Sequence, residues 1–142
     1  MFDHVRRWFV RLRGGAGEQA DTMIVIGLLP NDGDADIALN NLAEADFSPQ
    51  QISVLTTDPL RTAALTDTPG DWGRQTPDAA LERMRVLGVT DADRETYRSG
   101  LAAGGVLIVI RTTSDTANAA QALLSDQQAS LVRVLQERRG AG

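Results

Sequence analysis

Two unbroken apolar runs, TMIVIGLL at residues 22–29 and VLIVI at residues 106–110, constrain this chain more than any other feature of its sequence. A strand with one face in water alternates apolar and polar side chains. A run without that alternation belongs to a strand covered on both sides, in the middle of a sheet. Residues 51–57 differ, because Ile52 and Val54 alternate with Ser53, which reads as a strand with one polar face. Between the first two strands, residues 34–46 set Ile37, Ala38, Leu39, Leu42 and Ala45 at helical spacing behind Asp34, a candidate N-cap. Helical signals return from Pro77-Asp78 to Leu87, stop at Gly88, restart at Thr90-Asp91 and run past Tyr97 and Leu101 to Gly104-Gly105. An Ala-rich helix follows from Ser114 or Asp115 to about Ser125, and residues 131–136 read either as a last short strand or as more helix. Residues 58–77 carry Pro59, Pro69, Gly70, Gly73 and Pro77 among Thr and Asp and read as an irregular loop. Trp72, alone in that loop, is then the most exposed-looking large aromatic of the body and a candidate partner contact.

The order strand, helix, strand, helices, strand, helix, strand, with the first and third strands the most apolar, fits a ferredoxin-like split βαβ sandwich of the α+β class. In that arrangement the sheet is antiparallel and those two strands are adjacent and central. A three-layer parallel sheet is the alternative, and it requires buried edge strands as well. The 142 residues suffice for one domain with one core. Exposed edge strands and a hydrophobic second sheet face leave room for a homodimer.

The N-terminal segment stands apart from this body. On a helix, Phe2, Val5, Trp8, Phe9 and Leu12 of residues 1–13 form one apolar stripe, with Arg6, Arg7, Arg11 and Arg13 beside and opposite it. Gly14, Gly15 and Gly17 follow and break helical continuity. The division expected is a basic amphipathic helix at 1–13, a flexible linker at 14–21, the folded domain at 22–137 and a frayed tail at 138–142. The segment lacks the apolar stretch of a secretory signal, and a helix of about 13 residues is marginal alone in water. It is expected to order when its stripe meets a groove on a protein assembly or an anionic membrane.

Residue counts narrow the chemistry. There is no Cys and no Lys, and the one His is His4. Disulfides, thiolate metal sites, a phosphate-loop lysine and a Schiff base are therefore impossible in this chain, and a catalytic triad could be built only on His4. No cofactor is implied, and an enzyme is not expected. The first 13 residues hold four arginines against one acid, whereas the remainder holds ten arginines against eighteen acids. An acidic body repels phosphate backbones, so nucleic acid is not an expected partner.

Two stretches resemble a known family. Val25-Ile26-Gly27, the acidic turn from Asn31 to Asp36, the helix through Ala38 and Leu42, and Phe47-Ser48 before Gln51-Ile52-Ser53-Val54-Leu55 form the first. Leu87-Gly88-Val89, Asp91, Tyr97 and Gly104-Gly105-Val106-Leu107-Ile108-Val109, with the Ala-rich helix behind them, form the second and more specific one. Together, over about half of the chain, they resemble the bacterial general stress protein 17M-like (heat-induced stress protein) family. The resemblance implies a small α/β domain linked to stress responses, without established catalytic residues. Many members insert a long Gly/Ala-rich hydrophobic segment after the second strand, where this chain has the polar residues 58–77.

The acidic clusters have simple readings. Asp32, Asp34 and Asp36 alternate like the start of a calcium loop, but the loop's glycine would fall on Ile37 and its closing glutamate on Ala43, so capping of a helix is the better account and a weak divalent site the alternative. Asp91, Asp93 and Glu95 with Arg94 and Arg98 suggest an exposed ion-paired helix face, and Tyr97 packing over the sheet. The function expected is that of a non-enzymatic bacterial stress or accessory protein of the cytoplasm, docked through residues 1–13 to a partner assembly or the cytoplasmic membrane face. A regulatory module binding a small ligand, and a carboxylate-dependent hydrolase, are the alternatives. A pocket with convergent arginines and backbone donors would favour the ligand module, and a featureless body with an extended tail would favour the tether.

Overall fold

The structure is a computed structural model that describes residues 22–137. Its chain order is β1 (Thr22–Leu29), α1 (Asp32–Glu44), a 3-10 turn (Pro49–Gln51), β2 (Ile52–Leu55), α2 (Pro59–Leu65), α3 (Gly70–Gly73), α4 (Pro77–Leu87), α5 (Asp91–Ala102), β3 (Val106–Thr113), α6 (Ser114–Asp126) and β4 (Ser130–Glu137). The four strands form one sheet in the order β2-β3-β1-β4, and every neighbouring pair is antiparallel. The two unbroken apolar runs are thus adjacent and central, in the register Thr22↔Thr113 to Leu29↔Val106. The last segment is a strand, pairing Thr22↔Glu137 to Leu28↔Ser130 with β1 and shifting register between Ile26 and Leu28.

Both faces of the sheet are covered, which makes three layers around an antiparallel sheet. On one face, Val25, Leu29, Ile108 and Ile110 pack with Ala35, Ala38 and Leu42 of α1 and Ala117, Ala120 and Leu124 of α6. On the other, Ile24, Ile26, Leu107 and Val109 pack with Trp72 of α3, Leu81 and Met84 of α4, and Tyr97 and Leu101 of α5. Alternate residues of β1 and β3 feed two different cores, and this is why neither strand has a polar face. The second sheet face, expected as a surface for a homodimer, is occupied by the α3–α5 insert.

Residues 58–77 are a correction to the irregular loop read from sequence. Asp58 caps α2 by accepting from the Leu60 N–H at 2.9 Å, and Pro59 takes the first helical position, where its missing N–H costs nothing. Short α3 then lies along the outer edge of β2. The Val54 N–H donates to Pro69 O at 2.9 Å and the Trp72 N–H to Ser53 Oγ at 3.3 Å. Gly70, at φ +80°, and Gly73 permit this approach, since a Cβ on either would meet the Ser53 hydroxyl or the Val54 carbonyl. The edge of β2 is therefore closed, and all four of its residues, Ser53 included, are buried. Most residues of edge strand β4 are only half-buried.

The other helix starts follow their caps closely. Thr76 and Thr90 accept from the N–H groups of Ala79 and Asp93, both at 3.1 Å, and α4 ends at Gly88 in the left-handed region, φ +102°. α1 begins two residues before the expected Asp34, because Asn31 is the N-cap and accepts from the Asp34 N–H at 2.8 Å. α6 starts at Ser114 after Thr113, and neither Ser114 nor Asp115 caps it.

Candidate functional site

The α3–α5 layer stops short of one end of the sheet, the end where β2 and β1 begin and β3 and β4 finish. There it leaves a cleft of about 310 Å³. Ser53 and Val109 form part of its floor with Arg111 at the end of β3, and the turn around Gln50 and Gln51 forms one wall. The opposite wall is Asp71, Trp72 and Arg74 of the α3 region with Arg83 of α4. Three arginines from three elements face one aspartate in this space, so the lining carries an excess of positive charge.

Each arginine is placed by local structure. Arg111 follows the last fully buried residue of the central run, on the same face as Val109 by strand alternation. Its backbone carbonyl accepts from Gln51 Nε2 at 3.3 Å, and the same amide reaches Thr112 Oγ1 at 3.4 Å, tying the turn wall to the floor. The Arg83 guanidinium lies 4.4 Å from the centre of the Trp72 ring, a stacked cation–π contact. Arg74 follows the end of α3 and is exposed. Among the described residues neither Arg74 nor Arg83 has a carboxylate partner, while Arg111 Nη2 lies 3.2 Å from Glu137 Oε1. Guanidinium groups with unfilled donors suit oxyanions, whose paired oxygens match the planar fork.

Among the described residues the other carboxylates do not converge. Asp91 pairs with Arg94, Glu95 with Arg98 at 3.6 Å, Asp78 with Arg98 at 2.8 Å, and Asp93 reaches Arg133 on β4 at 2.7 Å. The α5 face is thus the ion-paired surface its sequence suggests. Asp32 pairs with Arg61, whose guanidinium holds its carboxyl below the usual range, and Arg61 also donates to Gly104 O at 2.7 Å. Asp32 therefore serves to join α1, α2 and the turn before β3. Among the described residues no group of three or more His, Cys, Asp or Glu could hold a metal ion. Tyr97 is fully buried over the sheet, its hydroxyl donates to Leu131 O, and burial pushes its phenol well above the usual value.

Trp72 is a second correction. It is 3% exposed, a core residue whose ring is covered by Arg83, and it is not the exposed aromatic that its loop suggests. Its N–H and its neighbours nonetheless shape the cleft. The expected docking residues Phe2, Val5, Arg6, Arg7, Trp8, Phe9, Arg11, Leu12 and Arg13 lie outside the described residues, as do residues 14–21 and 138–142. Among the described residues no helix is long and apolar enough to cross a membrane. Sequence reasoning missed Arg74, Arg83 and Arg111 because they belong to no motif and come together only through the sheet. The usable signal was Arg111 closing an otherwise apolar strand, and Arg83 with no acid three or four residues away on its helix.

Searches of protein-family models, curated proteins and solved structures find no match to this chain.

Proposed function

We propose that the folded body is a non-enzymatic regulatory module that binds a small, multiply charged anion in the arginine cleft. One observation carries this reading: Arg74, Arg83 and Arg111 line a single cleft, and two of them have no acid partner among the described residues. Polar groups that fix orientation, Gln50, Gln51 and Ser53, stand beside them, and the volume is that of a pocket for a small organic ligand. A ferredoxin-like assignment for the body is supported by the strand order and the antiparallel pairing, with the α3–α5 insert added between β2 and β3. A stress-related role follows from the resemblance to the general stress protein 17M-like family and rests on the two sequence stretches that carry it.

Calorimetric titration of the full chain with pyrophosphate and with citrate at low salt tests the cleft. Hydrogen bonds to charged groups contribute about 1.5–3 kcal/mol each, so Arg74→Gln and Arg83→Gln should each weaken binding by about tenfold or more. Arg94→Gln, on the ion-paired face of α5, should leave it unchanged. Absence of binding by either anion, or equal loss in Arg94→Gln, would remove the proposal.

A second reading concerns residues 1–13, favoured by the stripe of Phe2, Val5, Trp8, Phe9 and Leu12 beside four arginines. In it, this segment attaches the module to the cytoplasmic membrane face or to a protein assembly. The two readings are compatible, since one concerns what the body senses and the other where it sits.

A further inference from the structure

We infer that Arg111 is shared between the cleft and Glu137, so that an anion entering the cleft releases the end of strand β4. This inference rests on the anion-binding reading above and assigns that site its output. Arg111 is half-exposed, at 51%, and lines the cleft, whereas Glu137 is mostly covered, at 24%. Their charged atoms lie 3.2 Å apart, yet the buried Glu137 Oε1 accepts no hydrogen bond among the described residues. The pair is a charge contact without an aligned N–H, the weaker of the two ways a guanidinium can meet an oxyanion. A phosphate in the cleft offers Arg111 two oxygens in the geometry of its fork, whereas Glu137 Oε1 accepts no aligned N–H from it.

Position turns this competition into a signal. Glu137 is the last described residue of an edge strand that, among the described residues, pairs on one side only, and its partner there is Thr22, the first residue of β1. When Arg111 turns to a ligand, a covered carboxylate is left without its cation, and an uncompensated charge in that setting moves to water. The strand end moves with it, because among the described residues no second strand pairs with β4. The polypeptide leading to residues 1–21 enters the sheet at the same place, so occupancy of the cleft is felt where the N-terminal segment joins the body.

Linkage makes the coupling reciprocal: if the ligand loosens β4 through Glu137, then Glu137 weakens the ligand. The experiment uses the full chain, pyrophosphate as probe, calorimetry for affinity and hydrogen–deuterium exchange for the strand. Glu137→Gln frees Arg111 and should bind pyrophosphate about two- to fivefold more tightly than the wild type, the size expected of a partly exposed pair. In the wild type, saturating pyrophosphate should speed amide exchange over residues 134–137 and slow it over residues 70–74. Glu137→Gln has no carboxylate to be left without its cation, so pyrophosphate should not speed its exchange over residues 134–137. If pyrophosphate binds with the arginine dependence given above but Glu137→Gln has wild-type affinity and β4 exchange does not change, the coupling is wrong and the cleft stands. If pyrophosphate does not bind the wild type, both fall.

Discussion

Replacing Trp72 with alanine should cost the chain about 3–5 kcal/mol of stability, the range for removing a large aromatic side chain from a packed core. The ring is 3% exposed and belongs to the cluster of Leu55, Ala80, Leu81, Met84 and Val109, so its loss empties space between α3, α4 and the sheet. The contact with Arg83 at 4.4 Å adds about 0.5–1 kcal/mol, since that guanidinium keeps part of its hydration. Small domains are stable by about 5–15 kcal/mol, so Trp72→Ala should still fold but lose a large part of its margin. Trp72→Phe keeps an aromatic ring in the site and should lose only about 1–2 kcal/mol. Urea unfolding followed by far-ultraviolet circular dichroism measures both, with the slope held equal so that midpoints report stability. A Trp72→Ala midpoint corresponding to less than about 1 kcal/mol of loss would place the ring on the surface and refute the three-layer packing around it.

Two further outcomes follow from the same structure. The folded chain holds the buried Tyr97 proton more tightly than the unfolded chain does, so the group's contribution is constant below about pH 10 and stability falls above it, by up to about 1.4 kcal/mol per pH unit. Tyr97→Phe should lose about 1 kcal/mol at neutral pH, through the missing bond to Leu131 O, and should not show that alkaline fall. Urea midpoints between about pH 8 and about pH 11 decide this, and an equal decline in both proteins would assign it elsewhere. The intact chain should sediment with anionic liposomes more than a version lacking residues 1–13, the four arginines contributing on the order of 4 kcal/mol at low salt and less at high salt. Equal sedimentation would exclude the membrane form of attachment.

The central strands were legible because their signal is redundant: sixteen positions across β1 and β3 include few polar residues, and only burial on both sides explains such a pattern. α4 and α5 were legible from their punctuation, Pro77-Asp78 with Gly88 and Thr90 with Asp91. The third layer was hidden in residues 58–77, where the helix-starting pair Asp58-Pro59 sits among enough Pro, Gly and Thr to imitate a loop. Helices of seven and four residues are too short to show a period, so Trp72 carried no sign of facing a core. Ser53 misled for a related reason: its hydroxyl is satisfied by the Trp72 N–H, so a polar residue on β2 marked a buried contact with α3 and no wet face. The cleft was illegible because pairing across strands and helices, with no fixed spacing in the chain, brings Arg74, Arg83 and Arg111 together.

The sheet order also governs how the chain can be made. β1 finds its neighbours only in β3 and β4, the last two strands of the order. At about 5–20 residues per second, synthesis leaves the run at residues 22–29 unpaired for on the order of ten seconds before residues 106–113 emerge. That run has no charge and no proline, and it is a segment able to join a like segment from another chain. Pairing over such a separation is slow even for a finished chain. Yield should therefore be governed by the nascent chain more than by the finished fold, rising when translation is slowed against a surplus of chaperones and falling when β4 is truncated.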